Sequence, residues 1–326
     1  MVVLSFITKN TITRLKDLPI TLYDVLYSTL QIPYKTIILI DDSKDNTVTL
    51  FKKWCDANNK ELVVSRSNLY GYYKPTRATA RQTAIDIFLY NFSDEFLMFV
   101  DDDCVLNNGW WKWLEENKVL EDPAVGEVWG IDYVFRKARQ EFLELISKES
   151  STMHIDGFEY RGGTHDTIFR RKAIEGIKIP SELHVYEDGW LHHYVVCKGY
   201  KYIINPIGVV HYQPFRIKSI KDILEHYYLE INLGLKYGII DMTLRKQFEE
   251  HIIKSFIGIL GPVVGFPLHL YVNIKYDGFK EGFLRTLNEQ LSKMVIRWHI
   301  LKLKLRRYSV PQNICSIIEE YYGGGK

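Results

Sequence analysis

At 326 residues, 46% of them apolar and 25% charged, the chain has the size of one large folded domain with an appendage, or of two modest domains. This composition excludes a disordered chain, and a net charge of +2 provides no global field to draw nucleic acid. Four widely spaced cysteines with no CxxC pair argue against a zinc ribbon or a disulfide framework and fit a reducing compartment. The opening MVVLSFITKN lacks the basic start and cleavage site of a secretory signal, so a cytoplasmic location is expected.

Val2–Thr8 reads as a buried strand and Leu15–Gln31 as an amphipathic helix. Thr36–Ile40 is a second apolar strand that runs into Asp41-Asp42-Ser43, after which Asp45 and Asn46 offer caps for a helix reaching Asn58. Glu61–Ser65 is a short third strand, Thr76–Phe92 has helical spacing, Phe96–Val100 is a fourth strand and Val125–Phe135 a fifth. Short strands alternating with helices predict an α/β fold with a mostly parallel sheet flanked by helices. Ligands of such sheets bind beyond the carboxyl ends of the strands. Two of those ends are acidic, so Asp41-Asp42 and Asp101-Asp102-Asp103 are expected on one rim.

After residue 215 the pattern becomes helical, in Ile217–Tyr237, Leu244–Ile259 and Lys280–Leu305. Residues 1–215 are therefore expected to form the main domain and 216–326 a helical appendage. Phe256–Val272 is the most apolar window, yet it is shorter than a membrane span of about 20 residues, and Pro262 and Pro267 are expected to break or kink a helix there. Two readings compete for this region. It rests on an anionic membrane surface, with Lys293, Arg297, Lys302, Lys304, Arg306 and Arg307 at the head groups, or it packs on the main domain or forms a homodimer contact.

Three adjacent carboxylates repel one another unless a cation intervenes. Strand alternation would turn Asp101 and Asp103 to one side and Asp102 away. Oxygen ligands of this kind suit Mg²⁺ or Mn²⁺ together with a sugar-nucleotide diphosphate; a solvated acidic turn is the plainer alternative. Glu187-Asp188 offers a carboxylate able to take a proton from an attacking hydroxyl, or a simple charge at a helix start. His211, closing the run IGVVH, could add a nitrogen ligand. His192 and His193 are left without a role.

In this order the motifs resemble glycosyltransferase family 2, the inverting enzymes of the GT-A (Rossmann-like) fold, over roughly residues 2–215. The strand followed by Thr8 and Asn10 resembles the first nucleotide-contacting loop, with Lys9 departing from the family pattern. IILIDDSKDNT resembles the second motif, which implies base contact by Asp41 with Asp42 nearby. Gly71 with Ala80-Arg81-Gln82 resembles the segment that puts Arg81 at the donor diphosphate, Gln82 standing where Asn is usual. FVDDDC resembles the metal-binding DxD, so that Asp101 and Asp102 are expected at the donor and Asp101, Asp103 and His211 at Mn²⁺ or Mg²⁺. GGTHDTIFRRKAI resembles the segment that shapes the acceptor side. Glu187-Asp188 with Gly199-Tyr200-Lys201 and His211 resembles the catalytic acidic pair, the Gly-Tyr turn and the late metal-binding histidine, which implies Asp188 as base beside Glu187. The resemblance implies transfer from a nucleoside-diphosphate sugar to an acceptor hydroxyl or lipid phosphate. Two rivals remain: a metal-dependent nucleotidyltransferase, although Thr8–Arg14 has no glycine for a phosphate loop, and a non-catalytic nucleotide-sugar-binding module, although Glu187-Asp188 is present.

Overall fold

The computed structural model describes all residues except 68–74, 135–140, 142–161, 184, 213–218, 241, 310, 312 and 324–326. Gly71 therefore lies outside the described residues. The chain divides into two compact units, one of Met1–Tyr133 with Gly162–Pro214 and one of Val134–Arg161 with Phe215–Lys326.

The first unit holds eight strands: β1 (Val2–Thr8), β2 (Tyr34–Asp41), β3 (Glu61–Ser65), β4 (Phe96–Val100), β5 (Cys104–Leu106), β6 (Val125–Val134), β7 (Asp166–Arg170) and β8 (Lys201–His211), in the sheet order β3-β2-β1-β4-β7-β6-β8-β5. The first four pair in parallel. β7 then runs antiparallel to both β4 and β6, and β5 antiparallel to β8, so the sheet is mixed. Its helices are α1 (Thr11–Leu15), α2 (Leu22–Ser28), α3 (Thr47–Ala57), α4 (Arg77–Asn91), α5 (Trp110–Glu116), α6 (Arg171–Ile174) and α7 (Glu187–Cys197). Leu4, Phe6, Ile37, Leu39, Phe51 and Met98 are fully buried in one continuous core, as apolar strands covered by helices require. Cys55 and Cys104 are buried free thiols.

The helix expected over Leu15–Gln31 is shorter: α1 ends at Leu15, and α2 covers Leu22–Ser28 before a 3-10 turn to Gln31. Pro19 disfavours helical geometry in the residue before it, and Thr21 and Asp24 start α2 afresh with a reciprocal capping box. The sheet as a whole is also constrained by a short connection. Asp101-Asp102-Asp103 alone joins β4 to β5, yet β7, β6 and β8 lie between those strands. Four residue steps reach about 14 Å at full extension, while four strand spacings on a flat sheet measure about 19 Å. The sheet must therefore curl, bringing its far edge back to the end of β4 with the aspartates in the crook. Gly208 of β8 makes this approach possible: its φ is +57° and a Cβ would lie 2.0 Å from the Ile131 carbonyl oxygen.

The second unit contains α8 (Ile220–Tyr237), α9 (Met242–Glu249), α10 (Ile252–Gly258), α11 (Gly261–Asp277), α12 (Phe279–Leu305) and α13 (Ile314–Gly323). The expected helix Leu244–Ile259 is broken between α9 and α10. Lys304 donates there to the carbonyls of Gln247 and Glu250 and to Ser255 Oγ, and Arg297 likewise donates to the Gly258 carbonyl closing α10. Both side chains thus satisfy helix ends and are not free for head groups. Pro262 falls in the first turn of α11, where no hydrogen bond is lost. Pro267 lies within α11 and does not break it; Val263, whose carbonyl it frees, is 56% exposed, so water can take that bond. α11 and α12 pack closely through Gly282, where a Cβ would lie 2.6 Å from the Ile274 nitrogen, and through an Asn273–Thr286 hydrogen bond of 3.0 Å. Ile253, Ile257, Leu260, Val264, Leu268 and Tyr271 are all exposed, Val264 by 80%. Spacing puts Ile253 and Ile257 on one stripe of α10, and Val264, Leu268 and Tyr271 on one stripe of α11, with Leu260 in the turn between the helices. Among the described residues no helix is long and apolar enough to cross a membrane.

Candidate active site

The ends of β1, β2 and β4 form one rim. Register sets Thr8 beside Asp41, and the Thr8 hydroxyl donates to the Asp41 carboxylate. Ser43 donates to the same group through Oγ (2.6 Å) and its amide (3.1 Å). Asn10, in the left-handed region at φ 54°, ties the first loop to the second: its amide donates to Ser43 Oγ (2.6 Å), and its side-chain oxygen accepts from the Lys44 amide (2.8 Å). Asp42 accepts from the Ser67 hydroxyl. Thr8, Asn10, Asp41 and Asp42 are thus brought together.

The aspartate triplet continues the rim as a turn, since β4 stops at Val100, and strand alternation does not apply to it. Asp102 and Asp103 share Arg14, whose guanidinium donates to Asp102 Oδ1 (3.0 Å) and Asp103 Oδ2 (2.7 Å). Asp102 also accepts from the Thr11 hydroxyl. Burial, with Asp103 and Asp101 alongside, pushes the Asp102 carboxyl up to about 6 despite Arg14. Asp101 faces another way, with Oδ1 3.7 Å from Arg81. Burial alone would raise its pKa, but Arg81, His211 and His165 hold it below the usual value.

His211 reaches this cluster because β5 and β8 pair with Cys104 opposite His211. Its Nε2 is 3.1 Å from Asp103 Oδ1 and its Nδ1 is 3.5 Å from Asp132 Oδ2, a carboxylate on each ring nitrogen. Burial disfavours the charged ring, yet Cys104, Asp103 and Asp132 hold its pKa well above 6.5. That marks a place of concentrated negative potential. Among the described residues, the group able to hold one metal ion is Asp103, Cys104 and His211, with ligand atoms within 4.8 Å of one another; Asp101 is outside it. The carboxylate suits Mg²⁺ or Mn²⁺ and the imidazole nitrogen favours Mn²⁺ of the two, while the buried sulfur suits neither. Asp132 supplies the orienting carboxylate that a metal-bound histidine commonly has.

Arg81, buried on α4, joins the triplet to the acidic pair, with Nε donating to Glu187 Oε1 (3.3 Å). Its Nη1 is buried with no hydrogen-bond partner among the described residues. Gln82 does different work, clamping Ile177 and Ile179 to α4 through bonds of 3.1 and 2.8 Å. Glu187 is buried and Asp188 half-buried. The preceding Tyr186 takes φ 72°, a cost for a bulky residue that surrounding packing must offset. Gly162 fits against Asp188: its φ is +64° and a Cβ would lie 2.6 Å from the Asp188 carbonyl oxygen.

Sequence reasoning missed Arg14, Asp132 and His165. His165 was visible in GGTHDTIF. Its Nδ1 lies 2.7 Å from Asp166, which favours the charged ring, but Trp129 Nε1–H donates to its Nε2 at 3.1 Å. That bond needs an unprotonated Nε2, and the geometry favours the neutral ring. His192, assigned no role, is buried and bonded to Glu127 at 2.7 Å. Arg170 and Arg171 are far from the rim. Antiparallel pairing sets Val100 opposite Asp166 and Phe96 opposite Arg170, so the arginine pair stands at the other end of β4. This corrects the acceptor-side expectation for those two residues.

Residues 7–177 match the sequence profile of glycosyl transferase family 2. No curated protein sequence matches. Among solved structures, S. aureus TarS 1-349 in complex with UDP is 16% identical, covering 99% of this chain and 91% of that one, with a TM-score of 0.50. The mannosyltransferase PcManGT from Pyrobaculum calidifontis, in complex with GDP-Man and Mn²⁺, is 13% identical over 99% and 79% of the two chains, with a TM-score of 0.48. The longer S. aureus TarS chain is 14% identical with a TM-score of 0.49, and the present chain covers 55% of it. At these identities the likeness is one of fold, a mixed sheet flanked by helices of the GT-A kind.

Proposed function

Since the chain belongs to glycosyl transferase family 2, we propose that it inverts the anomeric centre of a nucleoside-diphosphate sugar as it transfers the sugar to an acceptor hydroxyl or lipid phosphate. Residues 1–215 are the catalytic domain in this reading. Thr8, Asn10, Asp41 and Asp42 form the nucleoside side of the donor site. Arg81, whose buried Nη1 has no hydrogen-bond partner among the described residues, faces the diphosphate with Asp101 beside it, and Asp102 lies on the donor side of the cluster. Asp103 and His211 would hold Mn²⁺ or Mg²⁺, with Asp101, outside their ligand group, supporting the ion through its charge alone. A bound divalent ion supplies neutralising charge for the departing diphosphate.

The observation that carries this reading is the ion pair between Arg81 and Glu187, which links the diphosphate side of the site to the acidic pair. It divides the labour of the two carboxylates. Glu187 is buried and committed to Arg81 as its ion-pair partner. Asp188, half-buried beside it, is the base that takes the acceptor proton. Asp188→Asn is expected to bind nucleotide with near-normal affinity in calorimetry while turnover falls by about 10³-fold or more. Substantial remaining transfer would reject the base assignment.

Residues 216–326 are, in this proposal, a peripheral contact on the cytoplasmic membrane face, suited to a lipid-linked acceptor. The exposed stripes on α10 and α11 support it, because residues 255–274 carry no Lys, Arg, Asp or Glu and are bounded by Lys254 and Lys275. A homodimer through the same stripes is the competing arrangement.

A further inference from the structure

Arg14 takes no part in that mechanism, yet it is tightly held at the centre of the acidic cluster. It lies on α1, 88 residues before Asp102 in sequence. Its side chain is only 26% exposed, and its guanidinium forks across two carboxylates, at 3.0 Å from Asp102 Oδ1 and 2.7 Å from Asp103 Oδ2. Asp102 is committed to this arrangement, because one of its oxygens also accepts from Thr11. Asp103 is divided. Its Oδ1 faces His211 at 3.1 Å and its Oδ2 faces Arg14.

A divalent ion held by Asp103 and His211 would find one oxygen of its carboxylate already paired and a fixed positive charge a few ångströms away. Repulsion between a divalent and a monovalent cation at that range weakens binding by about tenfold or more even in high dielectric, about 1.4 kcal/mol. A donor diphosphate alters the balance by adding anionic oxygens to the same space.

We propose that Arg14 is a built-in counter-cation of the aspartate cluster that weakens binding of the metal alone, so that metal and donor nucleotide bind with strong mutual dependence. Arg14 is a positioning residue in this scheme. It holds Asp102 and Asp103 together before the donor arrives and sets how strongly nucleotide and metal favour each other. The inference rests on the reading of Asp103 and His211 as metal ligands.

The test is Mn²⁺ binding, monitored by the electron paramagnetic resonance signal of the free ion, with no turnover involved. It compares the wild type, Arg14→Gln and Asp103→Asn, each alone and with saturating UDP or GDP. In the wild type, the better nucleotide is expected to tighten Mn²⁺ binding at least about tenfold. Arg14→Gln is expected to bind Mn²⁺ alone about tenfold more tightly than the wild type, with a smaller gain from nucleotide. Asp103→Asn is expected to lose the site.

Equal or weaker Mn²⁺ binding by Arg14→Gln, with Asp103→Asn still losing the site, would overturn the role of Arg14 and leave the metal assignment standing. No Mn²⁺ binding by wild type or Arg14→Gln under any condition would overturn the metal assignment and the inference together. If Arg14→Gln fails to fold, the wild type still decides: metal binding as tight without nucleotide as with it rejects the coupling.

Discussion

Arg170 shows how a buried charge in this protein is kept in place. Its guanidinium donates to the carbonyls of Val125 (2.8 Å), Leu120 (2.9 Å) and Asp122 (2.9 Å), pairs with Glu95 and covers the Phe96 ring. Arg170→Met would leave three inward carbonyls and one carboxylate without their donor. A loss of about 3 kcal/mol is expected, read as a lower urea midpoint. Asp132 calls for a different measurement, because it faces Nδ1 of His211, at 3.5 Å. Asp132→Asn is expected to lower Mn²⁺ affinity by about tenfold to a hundredfold with little change in stability. Neither role could be read from the sequence. Asp132 is one polar residue in a strand, and Arg14 meets Asp102 only through a fold that joins distant segments. The positions of Asp41 and Asp101 at strand ends and of Asp188 at a helix start were readable from apolar runs that stop at acids, whereas Arg81 lies inside α4.

The elements of the first unit were the more readable ones. Glu61–Ser65 and Phe96–Val100 are strands with the expected limits, since short apolar runs between helices leave little freedom. Errors arose where local chemistry overrode periodicity, as at Pro19 with the Thr21 cap and at the Lys304-bound end of α9. The start of α3 is governed by such chemistry too. Asn46, the capping residue by position, makes no side-chain bond there; Asp45 instead accepts from the Thr47 amide (3.1 Å) and, through its other oxygen, from Thr13 on α1. Burial works to raise the Asp45 pKa, but these bonds outweigh it and hold the carboxyl below 3.8. A depressed folded-state pKa stabilises above the unfolded value and is lost as pH falls through the folded one. Asp45→Asn is therefore expected to cost about 1 kcal/mol at neutral pH. The gap to wild type should close as the pH drops below 3.8, in thermal melts across that range.

For the molecule as a whole, the exposed stripes on α10 and α11 distinguish the two proposed surroundings of the second unit. On a membrane, Val264→Glu with Leu268→Glu should abolish flotation with vesicles rich in anionic lipid and leave the protein monomeric before and after the change. In a homodimer, the same pair should convert a concentration-dependent dimer into monomer, with no lipid binding in either form. Sedimentation and flotation together separate these outcomes. Periodicity located this apolar stretch, but only tertiary packing reveals that Arg297 and Lys304 serve helix ends, because the carbonyls they bind lie 39 and 54 to 57 residues away in sequence. The sheet order has a consequence for biosynthesis. β7 enters between β4 and β6, so translation yields β1 to β4 well before the strand that covers the open edge of β4. Until Asp166–Arg170 leaves the ribosome, the nascent chain presents an uncovered apolar strand, FLMFV, to other chains. A ribosome stalled before that point should carry an aggregation-prone intermediate and draw chaperones, whereas one stalled beyond it should not.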